Sequence, residues 1–185
     1  MTLQILLLLI ALPVLERGNL NDECGGKGRW RVKTLADKEA KSIDMKPKPT
    51  TIAALLLQKD SRIIADSSQR AGIEFNTYEV SCYIRKFKKE DDGDYHLVLA
   101  DINDKSKTLI GEIPDPDCTL AQTSIYSMRL HEIRKAFESM DKSHKQLKRH
   151  IFKVTGVAFF DKEHQKKNKD RAANNLELHP ILFIF

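Results

Sequence analysis

The sequence lacks the short motifs by which many enzymes are identified. Its 185 residues contain no G-x-S-x-G, P-loop, G-x-G-x-x-G or H-E-x-x-H pattern, so no serine nucleophile, phosphate-binding loop or zinc-protease helix is indicated. The chain also has only three cysteines and no C-x-x-C pair, which argues against a zinc site built from thiolates. Function must therefore be argued from the predicted fold and from the polar residues that the fold gathers.

Neither sign of charge dominates the composition. The chain has 31 Lys and Arg against 26 Asp and Glu, a net charge of +5, and 41% of its residues are hydrophobic. These values are ordinary for a soluble globular protein, and the length suits one domain with an extension. The mild positive excess is compatible with nucleic acid or another anionic partner, but it is also common in proteins that bind neither.

The N-terminus has an apolar run that is short for a membrane span. The run extends from Leu3 to Leu15 and is interrupted by Gln4 and Pro13, which matches the apolar region of a secretory signal. We therefore predict a signal peptide at residues 1–20 and a secreted or periplasmic protein, with no membrane contact after the signal is removed. Because no Lys or Arg precedes the run and no clear A-x-A pattern follows it, a buried N-terminal helix is the alternative.

The three cysteines are expected to have different roles. In "TYEVSCYIRKF" the strand alternation places Cys82 on the same face as Val80 and Ile84, which predicts a small buried core residue. In an oxidising compartment the remaining pair, Cys24 and Cys118, would then form one disulfide.

Residues 21–70 are predicted to be an N-terminal extension that packs on the main domain. "KPKPTT" indicates a linker or turn, and "TIAALLLQ" begins with threonines that suit the cap of a short helix. The extension is too apolar to stay solvated as a tail, because it contains Ile52, Leu55, Leu56, Ile63 and Ile64.

Residues 71–185 are predicted to form a mainly β domain with one helix, an OB-like five-stranded barrel. "YEVSCYIRKF" and "YHLVLAD" alternate around an Asp92-Gly93 turn, and "TLIGEIP" is a third strand. "SIYSMRLHEIRKAFESM" has the period of a helix capped near Thr123 or Ser124, and "HIFKVTGVAFF" and "LELHPILFIF" are two further strands. Three strands, a helix and two strands is the element order of the OB-fold. A generic five-stranded α+β sheet is the alternative.

Polar residues concentrate at the ends of these strands. In the last strand the alternation places Glu177 and His179 together on one face, and Pro180, which cannot donate to a ladder, predicts a bulged or unpaired position. Carboxylates with imidazoles suit a divalent metal, although only a subset can share one pole of a barrel, and turns or internal hydrogen bonds would explain each residue equally well. The predicted ligand-binding residues are His96, Lys107, Asp161, His164, Asn175, Glu177 and His179.

Several of these stretches resemble a family of exported bacterial proteins of unassigned activity. The resemblance rests on "EDDGDYHLVLAD", "GEIPDPDC", "VTGVAFFDKEH" and "ELHPIL" and covers residues 22–185. It implies kinship without a function. Members of the family have a glycine-rich stretch after the position of His164, where this chain has "QKKNKDRAANN".

The chain also resembles, more distantly, the micrococcal nuclease family, which consists of OB-fold phosphodiesterases that use calcium, carboxylates and two arginines. The resemblance implies that Asp94, Glu112 and Asp115 are catalytic residues that hold a divalent metal such as calcium. The position of one arginine falls on Lys107, which lacks the bidentate grip of arginine on phosphate. For the second arginine, Arg171 is a loop candidate.

These observations predict an exported OB-fold protein that binds a polar or anionic ligand, such as nucleic acid, at its strand ends. Whether it catalyses a reaction stays open. A calcium-dependent nuclease-like phosphodiesterase is one alternative, and a structural or protein-binding module without catalysis is another. A third arrangement would place His96, His164 and His179 around a transition metal.

Overall fold

The computed structural model describes residues 28–140, 147, 149–162, 172 and 174–185. The predicted signal peptide at residues 1–20 therefore lies outside the described residues. Within the described residues, no helix has the length and apolar character that crossing a membrane requires. The strands are β1 (Asp44–Thr50), β2 (Asn76–Lys89), β3 (Tyr95–Asp101), β4 (Thr108–Ile113), β5 (Phe152–Phe160) and β6 (Leu176–Ile184), and the helices are α1 (Trp30–Lys33), α2 (Ile52–Leu55), α3 (Thr119–Gln122) and α4 (Ser127–Ser139), with 3-10 turns at Ala40–Ser42 and Gly72–Phe75.

Five of the six strands close into a barrel. Strands β2, β3 and β4 form an antiparallel meander, β4 pairs in parallel with β6, and β6 pairs antiparallel with β5. The pairing of β5 with β2 closes the cylinder. This order, with α4 between the third and fourth barrel strands, is that of an OB-like barrel. The predicted fold is thus confirmed, and the closing pair excludes the open α+β sheet.

The long strand β2 makes closure possible because it serves two neighbours. Its first half, Thr77 to Cys82, pairs with β5, and its second half, from Cys82 onward, pairs with β3. The register shifts between Ile84 and Lys86, where a bulge bends a strand and increases its twist. The predicted turn after β2 is confirmed, since Gly93 has a φ of +90°, a conformation that glycine adopts without strain.

The inward face of β2 lies in the barrel core. Val80, Cys82 and Ile84 are fully buried, and they pack with residues from all the other barrel strands. Cys82 is a free thiol, as the alternation predicts, and burial raises its pKa to about 12. The predicted partners in a disulfide, Cys24 and Cys118, include a residue outside the described part of the chain, so that pairing stays a prediction.

The barrel helix packs through the predicted stripe but starts later than expected. Leu130, Ile133 and Phe137 of α4 are buried against the barrel. The helix begins at Ser127, after the separate helix α3, and its N-cap residue Tyr126 makes no side-chain cap hydrogen bond. Ser124, a predicted cap, instead holds the turn between the two helices: its hydroxyl donates to the carbonyl of Leu35 and accepts the N–H of Tyr126.

The N-terminal extension contains a strand that the sequence did not predict. β1 covers the stretch that indicated a linker, and it pairs in parallel with the start of β2. Pro47 and Pro49 argue against a central strand because they cannot donate, but on an outer strand they are tolerated and block further pairing. The short helix after it is confirmed, since the Thr51 hydroxyl accepts the N–H of Ala54.

Candidate functional site

The barrel gathers four ionisable side chains from three of its strands at one pole. Asp94 directly precedes β3, Glu112 lies near the end of β4, and Glu177 and His179 lie in the first half of β6. The start of β3 faces the end of β4 across an antiparallel pair, and the end of β4 meets the start of β6 across a parallel one. We call Asp94, Glu112, Glu177 and His179 the mouth cluster.

A bulge distinguishes β6 at the position of His179. Between Gly156 and Ala158 on β5, the partner residues on β6 advance from Ile181 to Leu178, so β6 carries one extra residue there. This confirms the bulged position predicted from Pro180. Gly156 is required opposite it, because a Cβ there would lie 2.9 Å from the carbonyl oxygen of Pro180. Bulges of this kind redirect a side chain next to a functional site.

His179 is the centre of the mouth cluster. Its Nδ1 lies 2.9 Å from Glu112 Oε2 and 3.9 Å from Glu177 Oε2, and its Nε2 lies 3.8 Å from Asp94 Oδ2. One ligand atom from each of Asp94, Glu112 and His179 lies within 4.8 Å of the other two. On the outer side, His96 Nδ1 lies 2.8 Å from Glu112 Oε1, so the Glu112 carboxylate is held between two imidazoles.

The cluster is buried and its hydrogen bonding is incomplete. His179 is 0% exposed, Asp94 2% and Glu177 3%. Among the described residues, four of their atoms have no hydrogen-bond partner: Asp94 Oδ2, Glu177 Oε2 and both ring nitrogens of His179. Buried polar atoms without partners destabilise a fold by about 1–3 kcal/mol each. Four such atoms at one point indicate that the cluster is completed by something other than these residues.

The electrostatics show how strongly the four groups are coupled. Burial acts to lower the pKa of His179, but the negative charge of Glu112, whose Oε2 lies 2.9 Å from Nδ1, outweighs it and raises that pKa to about 9. Burial and the charge of Glu112 raise the pKa of Asp94 to about 7, against the opposing effect of His179. The pKa of Glu177 is raised for the same two reasons, burial and Glu112.

Glu112 is the member that stays ionised. Burial acts to raise its pKa, but His179 and His96 hold the pKa well below its ordinary value. Like charges close together in a buried site shift pKa values apart in this way. Such pairs of displaced pKa values are typical of functional sites, although structural networks produce them too.

The N-terminal extension packs on Phe159 of β5 and adds a cation whose charge acts on the mouth cluster. Phe159 packs against the His179 ring with 5.5 Å between centroids. The guanidinium of Arg29 and the ammonium of Lys33 lie over that Phe159 ring, at 5.0 and 5.5 Å from its centroid. Burial lowers the pKa of Lys33, but the charges of Glu112, Glu177 and further carboxylates outweigh it and raise that pKa.

Sequence reasoning missed Lys33. The segment "GRWRVKT" has no strand alternation and no site-like spacing, so nothing in it pointed to the barrel mouth. Its position follows from Arg29, which pairs with Glu74, 45 residues away in the chain.

Some of the predicted ligand-binding residues lie near the mouth cluster. His96 contacts it through Glu112, and the charge of Asp161 acts on both Lys33 and Glu177. The backbone N–H of Asp161 donates to the carbonyl of Asn175, and both residues line a cleft of about 430 Å³. His164 and Arg171 lie outside the described residues.

Asp115 and Lys107 do not join the cluster. Asp115 lies outside the group of three close ligand residues, and it contributes its backbone N–H, which donates to Asp94 Oδ1 at 2.7 Å. Its side chain lies against Gly93. Lys107 lies in the hairpin between β3 and β4, 3.7 Å from Asp104, which is at the opposite end of β3. Since β3 has seven residues, that end is about 20 Å from the mouth.

Comparison with models of known protein families, with curated proteins and with solved structures finds no match for this chain. No characterised relative therefore assigns a role to the mouth cluster. What the cluster does has to be inferred from its own geometry.

Proposed function

We propose that this protein is an OB-like barrel that binds a divalent metal ion with Asp94, Glu112 and His179, and that the ion recruits a polar or anionic ligand. The observation that carries the proposal is the buried His179, whose ring nitrogens lie 2.9–3.9 Å from three carboxylates but form no hydrogen bond among the described residues. A divalent ion would displace the proton that the carboxylates hold on this imidazole, and a neutral imidazole is a common metal ligand. An ion at this point would satisfy a ring nitrogen and the unpartnered oxygen of Asp94.

The donor set favours a transition metal over calcium. Calcium takes six to eight oxygen ligands, whereas one imidazole with two carboxylates suits Mn²⁺, Fe²⁺ or Zn²⁺. A metal with ligand distances of about 2.1 Å holds its ligand atoms no more than about 4.2 Å apart. The ligand atoms of Asp94, Glu112 and His179 lie within 4.8 Å of one another, so they would have to move only slightly closer together to bind such an ion. The donor set therefore favours a transition metal, whereas the nuclease resemblance implied calcium.

Burial at the mouth favours a small ligand over a polymer. The side chains of Glu112 and His96 are 13% and 16% exposed, so a ligand would reach the ion past them. Phe159 and Phe160, which could have stacked on bases, are buried in the barrel. A nucleic-acid strand would have to bind outside the mouth.

Equilibrium dialysis with elemental analysis tests the metal site. The metal-free protein is dialysed against Mn²⁺, Zn²⁺ or Ca²⁺, and His179→Asn is compared with His131→Asn, a matched change at an exposed histidine of α4. We expect one equivalent of Mn²⁺ or Zn²⁺ in the wild type and in His131→Asn, and at least a tenfold weaker affinity in His179→Asn. Equal binding by the two variants would contradict the proposal.

A nuclease-like phosphodiesterase is the second candidate function. It is favoured by the convergence of Asp94 and Glu112, the two carboxylates that the nuclease resemblance places in the active site. Single-stranded DNA would be incubated with protein loaded with Ca²⁺, Mn²⁺ or Zn²⁺. Cleavage that is lost in His179→Asn supports this candidate. Intact DNA with every metal rejects it and leaves the metal site unaffected.

We further propose that the protein acts outside the cytoplasm, which rests on residues 1–20 alone. Expression with the native N-terminus, followed by fractionation and N-terminal sequencing, tests this. A mature N-terminus near residue 20 in the exported fraction is expected, and an intact Met1 in the cytoplasmic fraction would contradict it.

A further inference from the structure

A larger cleft, in the N-terminal extension, involves none of the mouth-cluster residues. It has a volume of about 830 Å³, and residues 28–32, 36–38 and 66–69 line it together with Leu120 of α3. Sites for small ligands commonly have volumes of about 300–1,000 Å³. The cleft is therefore large enough for a small organic molecule.

Arg29 holds the walls of this cleft in place. Its guanidinium donates to the carbonyls of Ser68 and Gln69, both at 2.9 Å, and it also pairs with the buried Glu74. These bonds fix the segment of residues 66–69 relative to the start of α1. The cleft is thus formed without a ligand, which reduces the loss of conformational freedom on binding.

The carboxylates of the cleft are paired, whereas two of its cations are not. Asp37 accepts hydrogen bonds from Arg70, and Asp66 forms an ion pair with a lysine that follows β5. Arg31 and Lys38 line the cleft, are exposed, and form no salt bridge or side-chain hydrogen bond with a described residue. The unpaired charge of the cleft is therefore positive, which favours an anionic ligand.

The buried wall of the cleft is apolar and contains one unsatisfied donor. Trp30, Val32 and Leu120 line the cleft and are 5%, 4% and 2% exposed. The indole N–H of Trp30 has no acceptor among the described residues, although a buried tryptophan usually forms a hydrogen bond. The unpaired charged and buried groups of the cleft are thus a guanidinium, an ammonium and an indole N–H, and all three are donors.

We propose that this cleft binds an organic carboxylate that has an apolar body. The carboxylate pairs with Arg31 and Lys38, since a guanidinium matches the two oxygens of a carboxylate. The apolar body packs on the buried wall, where removal of its surface from water favours binding. The proposal is independent of the metal site, and it assigns the N-terminal extension a binding role in addition to its packing on the barrel.

Tryptophan fluorescence tests the inference, because Trp30 is the only tryptophan in the chain. The whole chain, free of metal, is titrated with octanoate, with octanol, which has the apolar body alone, and with acetate, which has the carboxylate alone. We expect a saturable change in fluorescence with octanoate, and binding of octanol and acetate that is weaker by about tenfold or more. No saturable change with octanoate, or equal affinity for octanol or acetate, would overturn the proposal.

Variants of the two cations locate the binding. Arg31→Gln and Lys38→Met should each weaken octanoate binding, and the double variant should weaken it by about tenfold or more, while octanol binding stays the same. Lys41→Met, a matched change at an exposed lysine outside the cleft, should bind octanoate as the wild type does. All three positions are exposed, so urea unfolding should give the same stability in every variant. A double variant with wild-type octanoate affinity would overturn the role of the two cations.

Metal loading separates this cleft from the mouth cluster. Octanoate affinity should be the same in metal-free and Mn²⁺-loaded protein, since none of Asp94, Glu112 and His179 lines the cleft. Octanoate binding that requires Mn²⁺ would place the carboxylate at the metal and overturn the inference. A protein that binds octanoate but takes up no metal would reject the metal site and support the cleft.

Discussion

Two buried charge clusters lie at the same end of the barrel and are built in opposite ways. In the first, the Glu74 carboxylate is 0% exposed, and it accepts hydrogen bonds from Arg29, Arg62 and the backbone N–H groups of Phe160 and Ala71. In the mouth cluster the charges are equally buried, but four atoms have no hydrogen-bond partner among the described residues.

This difference suggests different roles: the Glu74 cluster stabilises the fold, and the mouth cluster binds a ligand. Burial acts to raise the pKa of Glu74, but Arg29 and the Phe160 N–H outweigh it and keep that pKa lowered. The Glu74 cluster is therefore complete, and it joins the extension to the end of β5. The mouth cluster contains three carboxylates around one imidazole, and no described Arg or Lys lies within 4.0 Å of them. A divalent ion would supply the positive charge that the carboxylates lack.

The largest predicted effect is the loss of stability on breaking the complete cluster. Glu74→Gln leaves the buried Arg29 and the half-buried Arg62 with a weaker partner, which should lower the free energy of unfolding by about 3–5 kcal/mol. Urea unfolding at pH 7 measures it. The matched change Glu79→Gln, at a half-buried residue 3.4 Å from exposed Lys153, should cost less than about 1 kcal/mol. Similar losses in both variants would contradict the comparison.

The next effect is a pH dependence of the metal-free protein. Burial raises the pKa of Asp94 to about 7 from 3.8, so the native state holds a proton that the unfolded chain has released. Its contribution is fully present below pH 3.8 and is lost as the pH rises to about 7. At about 1.4 kcal/mol for each pKa unit, that loss should be about 4 kcal/mol.

Urea unfolding in a chelator between pH 4 and pH 9 checks this prediction. Asp94→Asn should reduce the decline below pH 7. The decline that remains should come from Glu177, whose pKa is raised from 4.5, and, above pH 6.5, from His179, which loses its stabilising proton as the pH rises through about 9. A wild-type stability that falls no more between pH 4 and pH 7 than that of Asp94→Asn would contradict the assignment.

The smallest effect is expected at the far end of the barrel. Lys107 is 47% exposed and lies 3.7 Å from an equally exposed Asp104, so Lys107→Met should change stability by less than about 0.5 kcal/mol. Metal affinity should stay as in the wild type, since the mouth is at the other pole. A tenfold loss of that affinity would contradict the separation of Lys107 from the mouth.

Most of the fold could be predicted because barrel strands alternate strongly. Val80, Cys82 and Ile84 mark the inward face of β2. The spacing of apolar residues then changes from every second residue in the strands to a helical spacing in α4, before β5. β1 could not be predicted from the same rules, because its prolines are compatible only with an outer strand, and a single sequence does not show which strand is outermost.

The site was predictable in part, for a related reason. Glu112, Glu177 and His179 lie on strands, so the barrel order fixes which pole they share. Asp115 lies past the end of β4 in a proline-bounded turn, where its side chain direction depends on the loop rather than on the strand period. Lys33 reaches the mouth through contacts distant in the chain, which no local pattern records.

X-ray absorption at the zinc edge tests the central claim most directly. In the zinc-loaded protein we expect one imidazole nitrogen and carboxylate oxygens at about 2.0–2.2 Å. The imidazole scattering should disappear in His179→Asn and persist in His131→Asn. A zinc spectrum that lacks imidazole in the wild type, or that is the same in His179→Asn, would contradict the account.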